Sequence, residues 1–150
     1  MALTDTYKLF QGDIIRQVVV ATKTPTAQGV VPDTVVSNII VMSNPCEIDK
    51  PDKPDFRADI VHVARIIRLD ALPRNYQGNV RSNKVRSTYC LPVDKEMTTE
   101  AYIDWRTVQP VDKATLIEAR ASDRYKCTVT GDLLLALSQK FWDFFFRQEA

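Results

Sequence analysis

A β-branched run, Thr34-Val35-Val36-Ser37-Asn38-Ile39-Ile40-Val41-Met42-Ser43, ends abruptly in the polar corner Asn44-Pro45-Cys46-Glu47-Ile48-Asp49. Side chains branched at Cβ are stiff and pack well on a pleated surface, so the run predicts a buried strand over 35–43 that delivers polar groups to a rim. Gly12-Asp13-Ile14-Ile15-Arg16 opens an earlier strand, expected over 12–20, placed to lie beside it. Together the two segments predict a small closed barrel.

The rest of the chain extends that pattern. Residues 22–33 carry Pro25, Gly29 and Pro32 among threonines and read as an exposed loop. Residues 44–55 hold Pro45, Pro51 and Pro54 with four acidic side chains, a stiff connection outside any sheet because proline donates no ladder hydrogen bond. Strand chemistry returns over 59–69 and 84–91. It appears again over 101–108, where polar and apolar residues alternate up to Pro110, and in a short segment over 115–120. Residues 72–83, rich in Asn, Gly and Arg, predict a helical turn or an ordered loop.

The closing segment changes period. Leu133, Leu134, Leu137, Phe141, Phe144 and Phe145 recur at spacings of three and four after Thr130 and Asp132, which predicts an amphipathic helix over 131–147. Trp142 and Phe146 fall off its main apolar stripe. The helix end is therefore expected to be wrapped by the sheet or to meet another molecule.

Composition narrows the function classes. With 150 residues and 45% hydrophobic content the chain is expected to form one domain, 1–150, with a core of its own. Three cysteines without C-x-x-C spacing argue against a disulfide framework, and no apolar run approaches the ~20 residues of a membrane span. The opening residues have no apolar stretch of signal-peptide length. These features together place the protein in the cytoplasm by expectation. Net charge is only +1, yet between Arg57 and Arg86 seven basic residues stand against two acidic ones, a local excess suited to contacting phosphates.

In their order, the Gly-Asp-Ile-Ile opening, the apolar strand ending in Ser43-Asn44-Pro45-Cys46-Glu47-Ile48, Tyr89-Cys90-Leu91-Pro92, Tyr102-Ile103-Asp104-Trp105-Arg106 and the C-terminal helix resemble the PemK/MazF-like family, in a divergent branch. The resemblance implies a mainly β (α+β) fold: an SH3-like, PemK-type small antiparallel barrel with a C-terminal amphipathic helix. It also implies single-stranded RNA handling, with metal-independent endoribonuclease chemistry of the toxin–antitoxin type and no cofactor. Expected partners are single-stranded RNA, an antitoxin or other protein, and a second copy in a homodimer, with no membrane. Active relatives place an arginine before the apolar strand, where this chain has Val31-Pro32-Asp33-Thr34, and Thr98-Thr99 stands far from the position of their threonine pair. That departure supports an alternative, an inactive barrel serving as a protein-interaction or regulatory module.

Cleaving RNA without a metal requires a base for the 2′-hydroxyl and a cation for the phosphorane charge. The candidates are Glu47 or Asp49 as base, with Arg16, Arg65 or Arg86 as charge partner. The candidate RNA-binding residues are Arg74, Tyr76, Arg81, Asn83, Arg86 and Tyr89, which combine donors with stacking rings in one segment. Arg65 and Arg68 also fit charged residues at a sheet edge. His62, the one histidine, reads as a hydrogen-bonded strand residue, and Cys46 as a buried structural thiol. Neither the histidine nor the scattered cysteines predict a metal site.

Overall fold

The computed structural model describes residues 8–43 and 60–146. Its strands are β1 (Asp13–Thr26), β2 (Gly29–Val41), β3 (Ile60–Arg68), β4 (Thr88–Cys90), β5 (Ala101–Asp112) and β6 (Tyr125–Thr128). Among the described residues its helices are α1 (Arg74–Arg81), α2 (Lys113–Arg120) and α3 (Gly131–Phe146), with a 3-10 turn at Leu69–Ala71. All six strands join one antiparallel sheet in the order β4-β5-β3-β2-β1-β6. The result is a small α+β fold dominated by antiparallel sheet and closed by a C-terminal helix.

Both faces of the sheet are buried at its centre, and this explains the unbroken Ile-Ile sequences. Successive strand residues point to opposite faces. Ile15, Ile39, Val41, Val61 and Val63 enter a first core capped by Leu116 and Ala119 of α2. Their neighbours Ile14, Ile40, Ala64 and Ile66, with Ile103 and Trp105, enter a second core on the other face, covered by Leu137 of α3. Leu69, Val80 and Tyr102 form a third, smaller cluster that seats α1.

The sheet ladder does not close: β4 and β6 are its two ends. Across the gap β5 meets β1 through the Gln109 side chain, whose Oε1 accepts the Ala21 N–H at 2.7 Å while its Nε2 donates to the Ala21 carbonyl at 3.1 Å. One amide thus does for Ala21 what a neighbouring strand would do.

Several elements differ from the sequence expectations. Residues 22–33 form a two-stranded arm in which β1 and β2 pair as far as Thr26 with Gly29. Pro25 and Pro32 stand opposite Val30 and Lys23. Each strand of the arm has a single neighbour, so a proline on its open side removes no ladder bond. The same reasoning carries β5 through Pro110, paired with His62 beyond the short reach of β4. Residues 113–120 form α2 rather than a strand, because the Asp112 carboxylate accepts hydrogen bonds from both the Thr115 N–H (3.1 Å) and its hydroxyl (2.9 Å) and caps a helix there. Between Leu72 and Asn83 the turn resolves into α1. The acidic connection over 44–55 lies outside the described residues. Among the described residues, no helix is long and apolar enough to cross a membrane.

Candidate nucleic-acid interface

Strands β2 and β3 pair only from Asn38 with Ile66 to Val41 with Val63. Beyond Asn38, β2 stays with β1 in the arm while β3 continues against β5, so the sheet forks. A cleft of about 310 Å³ occupies the fork, lined on the β1–β2 prong by Gln17, Val36 and Ser37 and on the other prong by Arg65, Ile67, Arg68 and Ala71, with Asn38 and Ile66 at the branch point. A second cleft of about 160 Å³, more enclosed, shares Asn38, Ile66 and Arg68 with the first and is completed by Met97, Thr98, Thr99, Ala101 and Lys126.

Local geometry explains how Arg65 comes to face the fork. Opposite Val63 and Arg65, β5 carries extra residues between Asp104 and Gln109. The Thr107 hydroxyl fills the interrupted ladder by accepting the Arg65 N–H at 2.9 Å and donating to the Asp104 carbonyl at 2.6 Å. The Arg65 Nε then donates to the buried Ser37 hydroxyl at 3.2 Å, which holds the side chain along the arm. Among the described residues the guanidinium has no carboxylate partner within ion-pair distance. Asp104, its cross-strand neighbour, is occupied by Arg106, which donates to both carboxylate oxygens at 3.1 Å. That partnership raises the Arg106 guanidinium above its ordinary range. Burial, and next the Asp104 charge, push the Tyr102 phenol up, so it remains protonated at neutral pH.

Charge separates this region from its surroundings. Arg65, Arg68 and Lys126 line the two clefts, and among the described residues no carboxylate lines either. Arg68 pairs with Asp70 at 2.6 Å, but both side chains are more than 60% exposed, and such a pair is easily exchanged for a ligand's oxygen. On the far side of Met97 the sign reverses: a cleft of about 230 Å³ is lined by Asp94 and Glu96 together with Met97, Cys127 and Leu133.

The structure distributes the sequence candidates differently. Arg65 is in the fork. Arg16 serves the fold: its N–H bonds the Arg124 carbonyl at 2.8 Å and its guanidinium the Asp123 carbonyl, tying β1 to the turn before β6. Glu47 and Cys46 lie outside the described residues. Arg74 and Tyr76 are exposed on α1. Arg81 pairs with Glu100 at 2.7 Å. Asn83 adopts φ +58° and accepts the Cys90 N–H at 2.7 Å, which anchors β4. Arg86 donates to the Asp143 carbonyl of α3 at 3.3 Å, and Tyr89 packs half-buried against the second core. His62, expected as a hydrogen-bonded strand residue, lies in β3 with its side chain exposed, and its backbone bonds Ser43 and Met42. Among the described residues no group of three or more His, Cys, Asp or Glu is placed to hold a metal ion.

Gln17, Ser37, Asn38, Thr98, Thr99 and Lys126 are the cleft residues that sequence reasoning passed over. Arg65 and Arg68 are three apart on one strand and project from opposite faces. Only a fork open to both faces brings them to a common cleft. Comparison with protein families finds no match for this chain, and comparison with curated proteins finds none.

Proposed function

We propose that the protein handles single-stranded RNA in the manner the PemK/MazF resemblance implies, gripping the phosphate backbone in the fork between β2 and β3. The observation that carries this reading is the pair of adjoining clefts lined, among the described residues, by three cations and no carboxylate. Supporting it, the exposed Gln17 and Asn38 side chains add uncharged amide donors along the same path. Binding is favoured over cleavage. A general base must reach the proton it removes, and among the described residues the carboxylate nearest Arg65 along the ladder, Asp104, is already clamped by Arg106. The test is fluorescence anisotropy with a labelled single-stranded RNA, with gel electrophoresis of the same samples. The expected outcome is intact RNA bound at 50 mM salt, with affinity falling about twentyfold by 200 mM for three backbone contacts. Absence of association at low salt contradicts the reading, and metal-independent fragmentation of the RNA restores the ribonuclease assignment.

A second reading, a protein-interaction module, draws on the end of α3. Trp142 and Phe146 stack at 3.9 Å while remaining 60% and 58% exposed, and Leu135 and Phe145 lie exposed on the same helix. Exposed aromatic clusters of this kind mark association surfaces, here for the homodimer the resemblance implies. Light scattering of wild type against Trp142→Glu tests it: a dimer that the substitution turns into a monomer supports the reading, and a monomeric wild type removes it.

A further inference from the structure

We propose that the smaller cleft lined by Asn38, Arg68, Thr98, Thr99 and Lys126 is a pocket for a terminal phosphate, so that the protein recognises a phosphorylated end of an RNA strand rather than its interior. The inference rests on the fork being an RNA groove and specifies which part of the RNA that groove receives.

The two clefts differ in shape and in what lies beyond them. The fork is open and suits a chain in passage, whereas the second cleft is smaller and more enclosed. It is lined by the buried Ile66 and Ala101 and, toward solvent, by two cationic residues, two threonines and one asparagine. A phosphomonoester carries close to two negative charges at neutral pH and three acceptor oxygens beyond its ester link. Lys126, Arg68 exchanged from its exposed pair with Asp70, and three neutral side chains answer that demand better than they answer the single charge of a diester.

The acidic ground beyond the pocket marks it as an end. The segment between β4 and β5 forms one wall, with Thr98 and Thr99 facing the basic cleft and Met97 lining both it and the next. Past Met97 stand Asp94 and Glu96. Asp94 is held as a carboxylate by the N–H groups of Met97 and Glu96, both at 2.8 Å. A strand continuing in that direction would bring its phosphates against like charge, which opposes passage. The change of sign across Met97 thus places the last phosphate in the pocket.

The experiment compares three RNAs of one sequence, bearing a 5′-phosphate, a 3′-phosphate or hydroxyls at both ends, in the anisotropy assay at constant salt. One phosphorylated form is expected to bind about tenfold tighter than the hydroxyl-ended form. That preference should vanish in Lys126→Ala and in Thr99→Val. Equal binding of all three RNAs, or a preference that survives both substitutions, overturns the pocket while leaving the groove in place. Binding of none of them at low salt overturns both.

Discussion

Asp13 is the residue on which the first strand depends. It is fully buried, and its carboxylate accepts from the Arg120 Nε at 2.7 Å, from the Phe10 N–H at 2.8 Å and from the Thr128 hydroxyl. The Arg120 guanidinium lies over the rings of Phe10 and Tyr125, at 5.0 and 4.5 Å from their centroids. Gly12 precedes it at φ +92°, where a Cβ would collide with the Val129 carbonyl oxygen. The Gly-Asp pair was legible as the opening of a strand; its reason was not, because the charge that Asp13 answers lies 107 residues further along. Asp13→Ala should destabilise the protein by about 1–3 kcal/mol in urea unfolding, since it removes a fully buried acceptor from the Phe10 N–H and the Thr128 hydroxyl. A loss below about 0.5 kcal/mol would show that water takes the place of the carboxylate. The thiols of Cys90 and Cys127 are pushed up, in each case mainly by burial. In a Cys46→Ser background both are therefore expected to alkylate slowly at pH 7 and to gain reactivity only as pH climbs past the ordinary thiol range. Stability follows the same sign: it is complete below that range and is lost as pH rises through the shifted values. Rapid labelling at pH 7 contradicts the assignment.

Among the elements, the central strands and α3 are legible in side-chain periodicity, because Ile14-Ile15 and Ile39-Ile40-Val41 have a core on each face and α3 has a single apolar stripe. The β1–β2 arm and α2 depart from expectation for opposite reasons. Pro25 and Pro32 usually signal a loop, but a strand with one open side tolerates them. Leu116 and Ile117 look strand-like until the Asp112 cap is counted. The Gln109 bridge is hidden altogether, since an amide that imitates a strand leaves no periodic trace. Gln109→Leu should cost about 0.5–1.5 kcal/mol and speed amide hydrogen exchange at Ala21, with little change at the Ile14–Ile40 pair. Unchanged exchange at Ala21 would mean that the bridge contributes nothing in solution.

For the whole molecule, the local charge excess over 57–86 was readable, but its division was not. Arg81 and Arg86 bind the fold together, and the side chains left for a ligand gather where the sheet splits, some of them from segments outside that stretch, such as Thr98, Thr99 and Lys126. Arg74 and Tyr76, both exposed on α1, offer a competing surface that the sequence favoured equally. Salt dependence separates the two. Each phosphate contact to a single strand contributes about 0.7 to the slope of log affinity against log salt, so three contacts predict a slope of about −2. The decisive measurement is that slope for the wild type, for Arg65→Ala with Arg68→Ala, and for Arg74→Ala with Tyr76→Ala, each first shown by circular dichroism to be folded. A slope reduced to about −0.7 by the fork pair and left near −2 by the α1 pair is the predicted result. A slope that falls with the α1 pair and holds with the fork pair contradicts the account.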